Sequence, residues 1–525
     1  MCSKDKAGPA AGQGTPPSRP AHMPWRFSGR LFPELSQDAA NVLTGYGCLL
    51  RKAAPLRPKH FNELPFQIKT LSQALTADKG TGPPPGYLSD DKYLSAYSWY
   101  FLPWNLYRLT RLLSGLPLDL PDGAAILDLG AGPLTFVQAL WLARPDLRAK
   151  NLRFTCVDSS QKAMRLGAAL FDLIREETLA GGIEEARGAW SVSLVRGQLR
   201  KPPAFGANLV VAANVINELH FTRSGTLGDR MDMVAETLAG AAGADGKLLV
   251  IEPGVRSSGK MLARLRDSFT DMGLALLAPC PHEGPCPLDG GKLKSWCHFS
   301  AKTDSAPQWL SELSRLAGLP KRAASLSFLL AGAPGSADAG RSPGLTRIVS
   351  NMFKPEGGPG PEARYGCFSG GLGLLLANEP AGLLSGDLLE ASWPKNPARD
   401  VKSGAARVLL ERGAPKKALP PEETLPVVTA KSCPAPCVGQ AAGTGRGQRT
   451  GGGKFPSGRR PGKPGMRRTD KRAGGEGRGT RTRTGAPGEA GRDEREPGDA
   501  RDGEIRDGRG PSKKRGASGK RPKSS

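Results

Sequence analysis

Leu127-Asp128-Leu129-Gly130-Ala131-Gly132-Pro133 is the stretch on which the fold turns. With Ala125 and Ile126 before it, the apolar run reads as a buried strand, and it passes through an acid directly into a Gly-x-Gly turn. Glycine lets the backbone bend tightly and lets a ligand come close, as the first strand-to-helix turn of a Rossmann sheet requires. A dinucleotide site would carry Gly-x-Gly-x-x-Gly, whereas Thr135 stands three places after Gly132. The acid ahead of the glycines points instead to S-adenosylmethionine, whose positively charged end suits a nearby carboxylate.

Working outward, short apolar runs alternate with helical stretches. Residues 153–158, 191–195, 208–213 and 247–251 read as further strands, and 136–143 as the helix after the glycine turn. Such alternation implies crossover connections and a mostly parallel, doubly wound sheet. Two late strands, 325–331 and 371–377, are expected to complete seven strands as an antiparallel pair. Strand ends along one edge of that sheet then supply a pocket lined by Asp128, Gly130 and Gly132. Asp158, ending the second strand, is placed for a ribose diol, Gln198 for an adenine edge, and Asn214 for substrate or methionine contacts. Read structurally, the same polar residues are helix caps. Asn214-Val215-Ile216-Asn217-Glu218-Leu219 replaces the Asn-Pro-Pro-Tyr type of motif used by amino-group methylases, Leu134 stands where many methyltransferases have a third glycine, and no general base is evident.

Upstream, residues 31–118 have helical spacing through Phe66, Ile68, Leu71 and Leu75, then eight aromatic residues from Tyr87 to Tyr107. These read as a helix packed on the sheet domain, with an RNA-stacking surface as the alternative. Downstream, Cys280-Pro281-His282-Glu283-Gly284-Pro285-Cys286 and Trp296-Cys297-His298 gather three of nine cysteines and two of five histidines. Prolines stiffen such a loop so that thiolates can converge, and tetrahedral thiolate coordination suits zinc or an iron–sulfur cluster. Cys367 is the expected fourth ligand, with His282 and His298 as runners-up. Cys2, Cys48 and Cys156 read as structural or incidental, and Cys433 and Cys437 as linker residues.

Composition limits what folds. The 525 residues include 69 Gly and 47 Pro, and residues 441–525 have Phe455 as their sole aromatic, too little apolar surface to offset chain entropy. A net charge of +25 favours polyanionic partners through counterion release. No apolar leader or membrane-length run is evident, so the expected compartment is cytoplasmic, with the mitochondrial matrix as alternative and no membrane partner. A reducing compartment would favour metal binding over disulfides. Expected boundaries are 1–30 disordered, 31–118 helical, 119–380 sheet domain with a metal-binding insertion at 278–300, 381–440 linker, and 441–525 disordered basic tail.

The glycine turn, the 214–219 segment, Val250-Ile251-Glu252-Pro253-Gly254, the cysteine loop and Cys367 occur in an order that resembles the methyltransferase-like small-ribosomal-subunit assembly factors of mitochondria and bacteria. The resemblance covers roughly residues 87–378, and the cysteine loop is its most specific part. It implies an α/β, Rossmann-like class I S-adenosylmethionine methyltransferase fold. It further implies a [4Fe-4S] cluster on Cys280, Cys286, Cys297 and Cys367 in preference to zinc, and contact with the small ribosomal subunit through rRNA. Three functions follow: an assembly or translation factor that binds the cofactor and a cluster, an active rRNA or protein methyltransferase, and a zinc-stabilised RNA-binding module on a vestigial Rossmann fold.

Overall fold

The computed structural model describes residues 21–76, 86–180, 189–199, 206–216, 225–289, 295–335, 344–354, 361–377, 382–391 and 393–412. They all fall in the first of two units, Met1–Gly443; the second, Thr444–Ser525, lies outside them and with it the expected basic tail. The described chain enters as strand β1 (Ala21–Gly29) and continues through helices α1 (Gln37–Ala53), α2 (Pro58–Thr76), α3 (Asp91–Ala96) and α4 (Leu102–Ser114), with one π-helical turn at Tyr97–Phe101. Ser36 caps α1 by accepting from the Ala39 amide, and α1 buries Val42, Leu43, Tyr46, Leu49 and Leu50 at three- and four-residue spacing. The aromatic stretch is core rather than an exposed stacking surface: Trp99, Tyr100, Trp104 and Tyr107 are all buried.

From residue 125 the period changes. Strands β2 (Ala125–Leu129), β3 (Arg153–Asp158), β4 (Ser191–Arg196), β5 (Ala207–Ala213) and β6 (Ala242–Pro253) alternate with α5 (Thr135–Ala143), α6 (Pro145–Arg148), α7 (Gln161–Ala180) and α8 (Leu227–Ala241). Then follow α9 (Arg256–Asp271), β7 (Ala275–Ala278), β8 (Phe299–Lys302), α10 (Gln308–Leu316) and β9 (Ala323–Gly332). The spatial order is β4-β3-β2-β5-β6-β9-β7; β4 to β6 are mutually parallel, β9 runs antiparallel to both neighbours, and β8 pairs with β9. Counting only its seven path strands in chain order, the sheet reads 3-2-1-4-5-7-6, the arrangement of class I methyltransferases. Alternation along the strands sends Ile126, Leu209 and Leu249 to the face covered by the amino-terminal helices, and Leu127, Val210 and Leu248 to the face covered by α8 and α9.

A second body follows the sheet. β10 (Leu345–Ile348), β11 (Glu362–Phe368) and β12 (Gly371–Ala377) form an antiparallel meander, β13 (Leu388–Glu390) pairs antiparallel with β10, and β14 (Ala406–Arg412) pairs parallel with β12. Five strands in the order 4-1-2-3-5, with 3 and 5 parallel, make an OB-type barrel, whose usual form is only partly closed. Here β1 completes it, antiparallel to β13 and parallel to β14, and sends Met23 and Trp25 into an interior with Phe368, Leu375, Leu389 and Val408. On the other side of the meander, Ala363, Cys367, Leu372, Leu374 and Leu376 join the core of the sheet domain.

This barrel corrects three expectations. Residues 371–377 form a strand of the barrel and not of the main sheet, which takes 275–278 instead. The 1–30 segment contains strand β1, and the 381–440 linker contains β13 and β14. A short apolar strand has the same sequence pattern in either sheet, so only its pairing register tells them apart. Cys48 on α1 is disulfide-bonded, a structural role.

Candidate functional site

The glycine turn closes over the carboxyl ends of β2 and β3. Gly130 and Ala131 donate their amides to the Val157 carbonyl at 2.8 and 3.1 Å, and Gly130, Gly132 and Leu134 all have left-handed backbones. Gly130 cannot be anything larger, since a Cβ there would lie 2.4 Å from Val215. Gly167 of α7 lets that helix touch the turn, because a Cβ would come within 2.2 Å of Pro133. From below, Gln138 donates to the Pro133 carbonyl at 2.7 Å and accepts from the Tyr46 hydroxyl at 2.7 Å.

Asp128, Gly130, Gly132, Asp158 and Asn214 line one cleft with Tyr87, Leu88, Tyr97 and Val215, whereas Gln198 is exposed beyond β4 and lies outside it. Asn217, Glu218 and Leu219 lie outside the described residues. Asp158 is engaged by the protein itself, accepting from the Gly132 amide at 2.9 Å and the Ser160 amide at 2.7 Å. Burial raises the pKa of Asp158, against those hydrogen bonds, and burial together with Asp158 pushes Asp128 up to about 7. The cleft measures about 50 Å³, against roughly 300 Å³ or more for a small-molecule site. Its roof is the segment around Tyr87, held across the cleft by Ser89 bonded to Ser160 at 3.3 Å and by Asp91 paired with Lys162. Asp128 and Asp158 suit the polar ends of an S-adenosylmethionine, and the cleft as it stands is smaller than its body.

Sequence reasoning missed Arg108. From α4 it donates to Asn214 Oδ1 and, at 2.9 Å, to the Ser325 carbonyl, and burial pulls its pKa down to about 10. Glu252, ending β6, accepts from the Val215 and Ile216 amides at 3.1 and 2.8 Å. The post-β5 segment where a methyl acceptor would approach is therefore tied down from both sides. One arginine in an aromatic helix gives no sequence signal, because its partners are more than a hundred residues away.

The cysteines assemble from both bodies. Cys280 and Cys286 lie after β7, Cys297 precedes β8, and Cys367 comes from barrel strand β11. Burial raises the pKa of Cys297 well above its usual value, and Cys280, Cys286 and Cys367 raise it further. Cys367 is raised likewise by burial and by Cys280 and Cys286, and Cys286 is pushed up to about 11 by burial and Cys280. Mutual influence of this kind requires closeness, although among the described residues no group of three or more His, Cys, Asp or Glu is set out to hold a metal ion. His282 Nε2 lies 3.2 Å from Cys367 Sγ, while His298 turns to the Trp296 carbonyl at 3.1 Å. Two arginines clamp the loop: buried Arg266 of α9 donates to the Gly284 carbonyl, and half-buried Arg347 of β10 donates to the Pro279 carbonyl at 3.0 Å. An all-thiol donor set beside two guanidiniums fits an anionic, thiolate-bound centre.

With fold and site in place, residues 95–317 match the family model described as mitochondrial small ribosomal subunit Rsm22. That segment is similar to the Rsm22 family. The matched segment holds the cleft from Tyr97 to Val215 and three of the four cysteines; the fourth, Cys367, and the barrel lie outside it. No curated protein matches the chain. Solved structures similar to this chain include a SAM-dependent methyltransferase from Methanosarcina mazei, 10% identical over 41% of this chain and 94% of that one, with a TM-score of 0.24. Others are a TehB-like SAM-dependent methyltransferase from Corynebacterium glutamicum (14%, 44% and 87%, TM-score 0.23) and Aeropyrum pernix fibrillarin in complex with S-adenosyl-L-methionine (17%, 43% and 76%, TM-score 0.24). The fold assignment rests on the strand order given above.

Proposed function

We propose that this protein is a small-ribosomal-subunit factor of the mitochondrial matrix that binds S-adenosylmethionine without needing to turn it over, carries a [4Fe-4S] cluster, and contacts rRNA. The observation that carries the ribosomal role is the family match across residues 95–317, whose description is mitochondrial and ribosomal. That description favours the matrix over the cytoplasm, and among the described residues no helix is long and apolar enough to cross a membrane. Binding without turnover is favoured by Arg108, whose guanidinium occupies Asn214 at the place where an acceptor would be positioned.

Asp128, the glycine turn and Asp158 are the residues to hold the cofactor, which would bring an activated methyl group on a sulfonium. Cys280, Cys286, Cys297 and Cys367 are the residues to hold the cluster, whose part here is to join the loop after β7 to the barrel. Four thiolates in one buried place repel one another, and Arg266 and Arg347 reduce that cost.

The test uses full-length protein purified without oxygen, mixed with immature small subunits and methyl-labelled cofactor. Expected are co-sedimentation with the particle, equal amounts of iron and sulfide, saturable cofactor binding and no labelled RNA or protein. Failure to sediment removes the ribosomal role, labelled product replaces binding with methyl transfer, and zinc without iron returns the zinc-stabilised module.

A further inference from the structure

We infer that the loop joining β13 to β14 is a binding site for unpaired RNA bases, with Trp393 as the stacking platform. The inference rests on the rRNA contact proposed above and assigns it a place. In OB barrels, oligonucleotides are bound on the outer face of the second and third strands and by the loops after strands 1 and 4. Here the second and third strands are β11 and β12, and their outer face, with Cys367 and Leu374, is buried against the sheet domain. Of the two loops, the one after the fourth strand, residues 391–405, carries an aromatic ring with exposed cations.

Its geometry suits the task. Trp393, Pro394, Lys395, Asn396, Pro397 and Arg399 surround an open concavity of about 620 Å³. Trp393 is half-buried and held from beneath, edge-on to Phe368 at 5.3 Å between ring centroids and over Gly370, where a Cβ would collide with the indole at 2.6 Å. Anchored in this way, the ring loses little freedom on meeting a base. Arg399 lies over the same indole at 5.9 Å, and Asn396 takes a left-handed backbone (φ 48) that turns the loop back. Lys395 and Arg399 are exposed and, among the described residues, pair with no carboxylate. Asp400 turns inward, accepting from the Ser403 amide and hydroxyl at 2.7 and 2.6 Å, and so is engaged by its own loop. Arg399 also donates to the Gly404 carbonyl at 3.1 Å, which fixes its head beside the ring. A fixed aromatic ring with exposed cations beside it is the arrangement that binds single strands, through base stacking and backbone charge. A structural role would explain Trp393 and the Arg399 bond to Gly404, but not the exposed Lys395 beside them.

The experiment must see past general attraction to a chain of charge +25. Full-length protein is titrated with a fluorescent single-stranded oligoribonucleotide at elevated salt, where counterion-driven affinity is weakest. Indole quenching, anisotropy, competition by duplex RNA and photo-crosslinking of a 4-thiouridine strand are followed. Expected are quenching on binding, a crosslink at Trp393, poor competition by duplex, and an affinity loss of about five- to thirty-fold for Trp393→Ala. Because that variant can loosen the barrel, Lys395→Ala with Arg399→Ala is the second test: it keeps the ring, should keep the melting temperature, and should also weaken binding. Unchanged affinity in the double variant, or equal competition by duplex, overturns the inference. Neither result bears on co-sedimentation with the small subunit, so the two readings fail separately.

Discussion

At the scale of single residues, Asp128 is the group whose chemistry is most altered by the fold. Its carboxyl titrates near 3.9 in an unfolded chain and near 7 in the folded one, through burial and the neighbouring Asp158. The folded state therefore binds the extra proton between those values, and stability falls as pH rises from about 4 to about 7. Asp128→Asn removes the penalty while keeping the shape. Its unfolding free energy should match wild type near pH 4 and exceed it at pH 8, by an amount on the order of 2–4 kcal/mol. Melting curves that run parallel across that range would refute the shift. A cation entering the cleft favours the ionised carboxyl, so cofactor affinity should strengthen with pH in wild type and stay flat in the variant.

At the scale of elements, the cysteine loop is held between helix α9 and strand β10, each supplying one arginine. Burial pulls the pKa of Arg347 down to about 10, against the pull of Cys280 and Cys297, so this cation is costly to bury and is kept by its partners. Arg347→Gln should lose on the order of 1–3 kcal/mol of stability and release metal to a chelator faster than wild type. Stability and metal release are read on the same anaerobic preparation. A variant that unfolds more easily yet holds its metal as firmly as wild type would separate the arginine from the thiol cluster.

At the scale of the whole molecule, the barrel is closed by a strand that comes from the other end of the described chain. β1 contributes Trp25 and Met23 to the barrel interior, 7% and 3% exposed, and covers what would otherwise be two open strand edges on β13 and β14. Trp25→Ala should cost about 3–5 kcal/mol. Denaturant unfolding should show the loss, and iron release should come with it, because Cys367 sits on the same barrel. Loss of stability with the iron retained would mean that the barrel can open without disturbing the thiols.

The sequence by itself determined the parallel sheet, the glycine turn and the proline-stiffened cysteine loop, because each is written in consecutive residues: short apolar runs between helical stretches, a Gly-x-Gly after an acid, rare thiols close together. It also put Asp128, Asp158 and Asn214 at one edge, since residues ending parallel strands share an edge by construction. It placed Gln198 there as well, and the backbone after β4 carries that side chain outward instead. Only the tertiary structure decided the barrel, the roof over the cleft and the arginines at both sites. Closure by β1 is a pairing between residues nearly four hundred positions apart, and Arg108 and Arg347 act through carbonyls and side chains contributed by distant segments. Such contacts follow from where strands pair in space, which no local pattern of residues encodes.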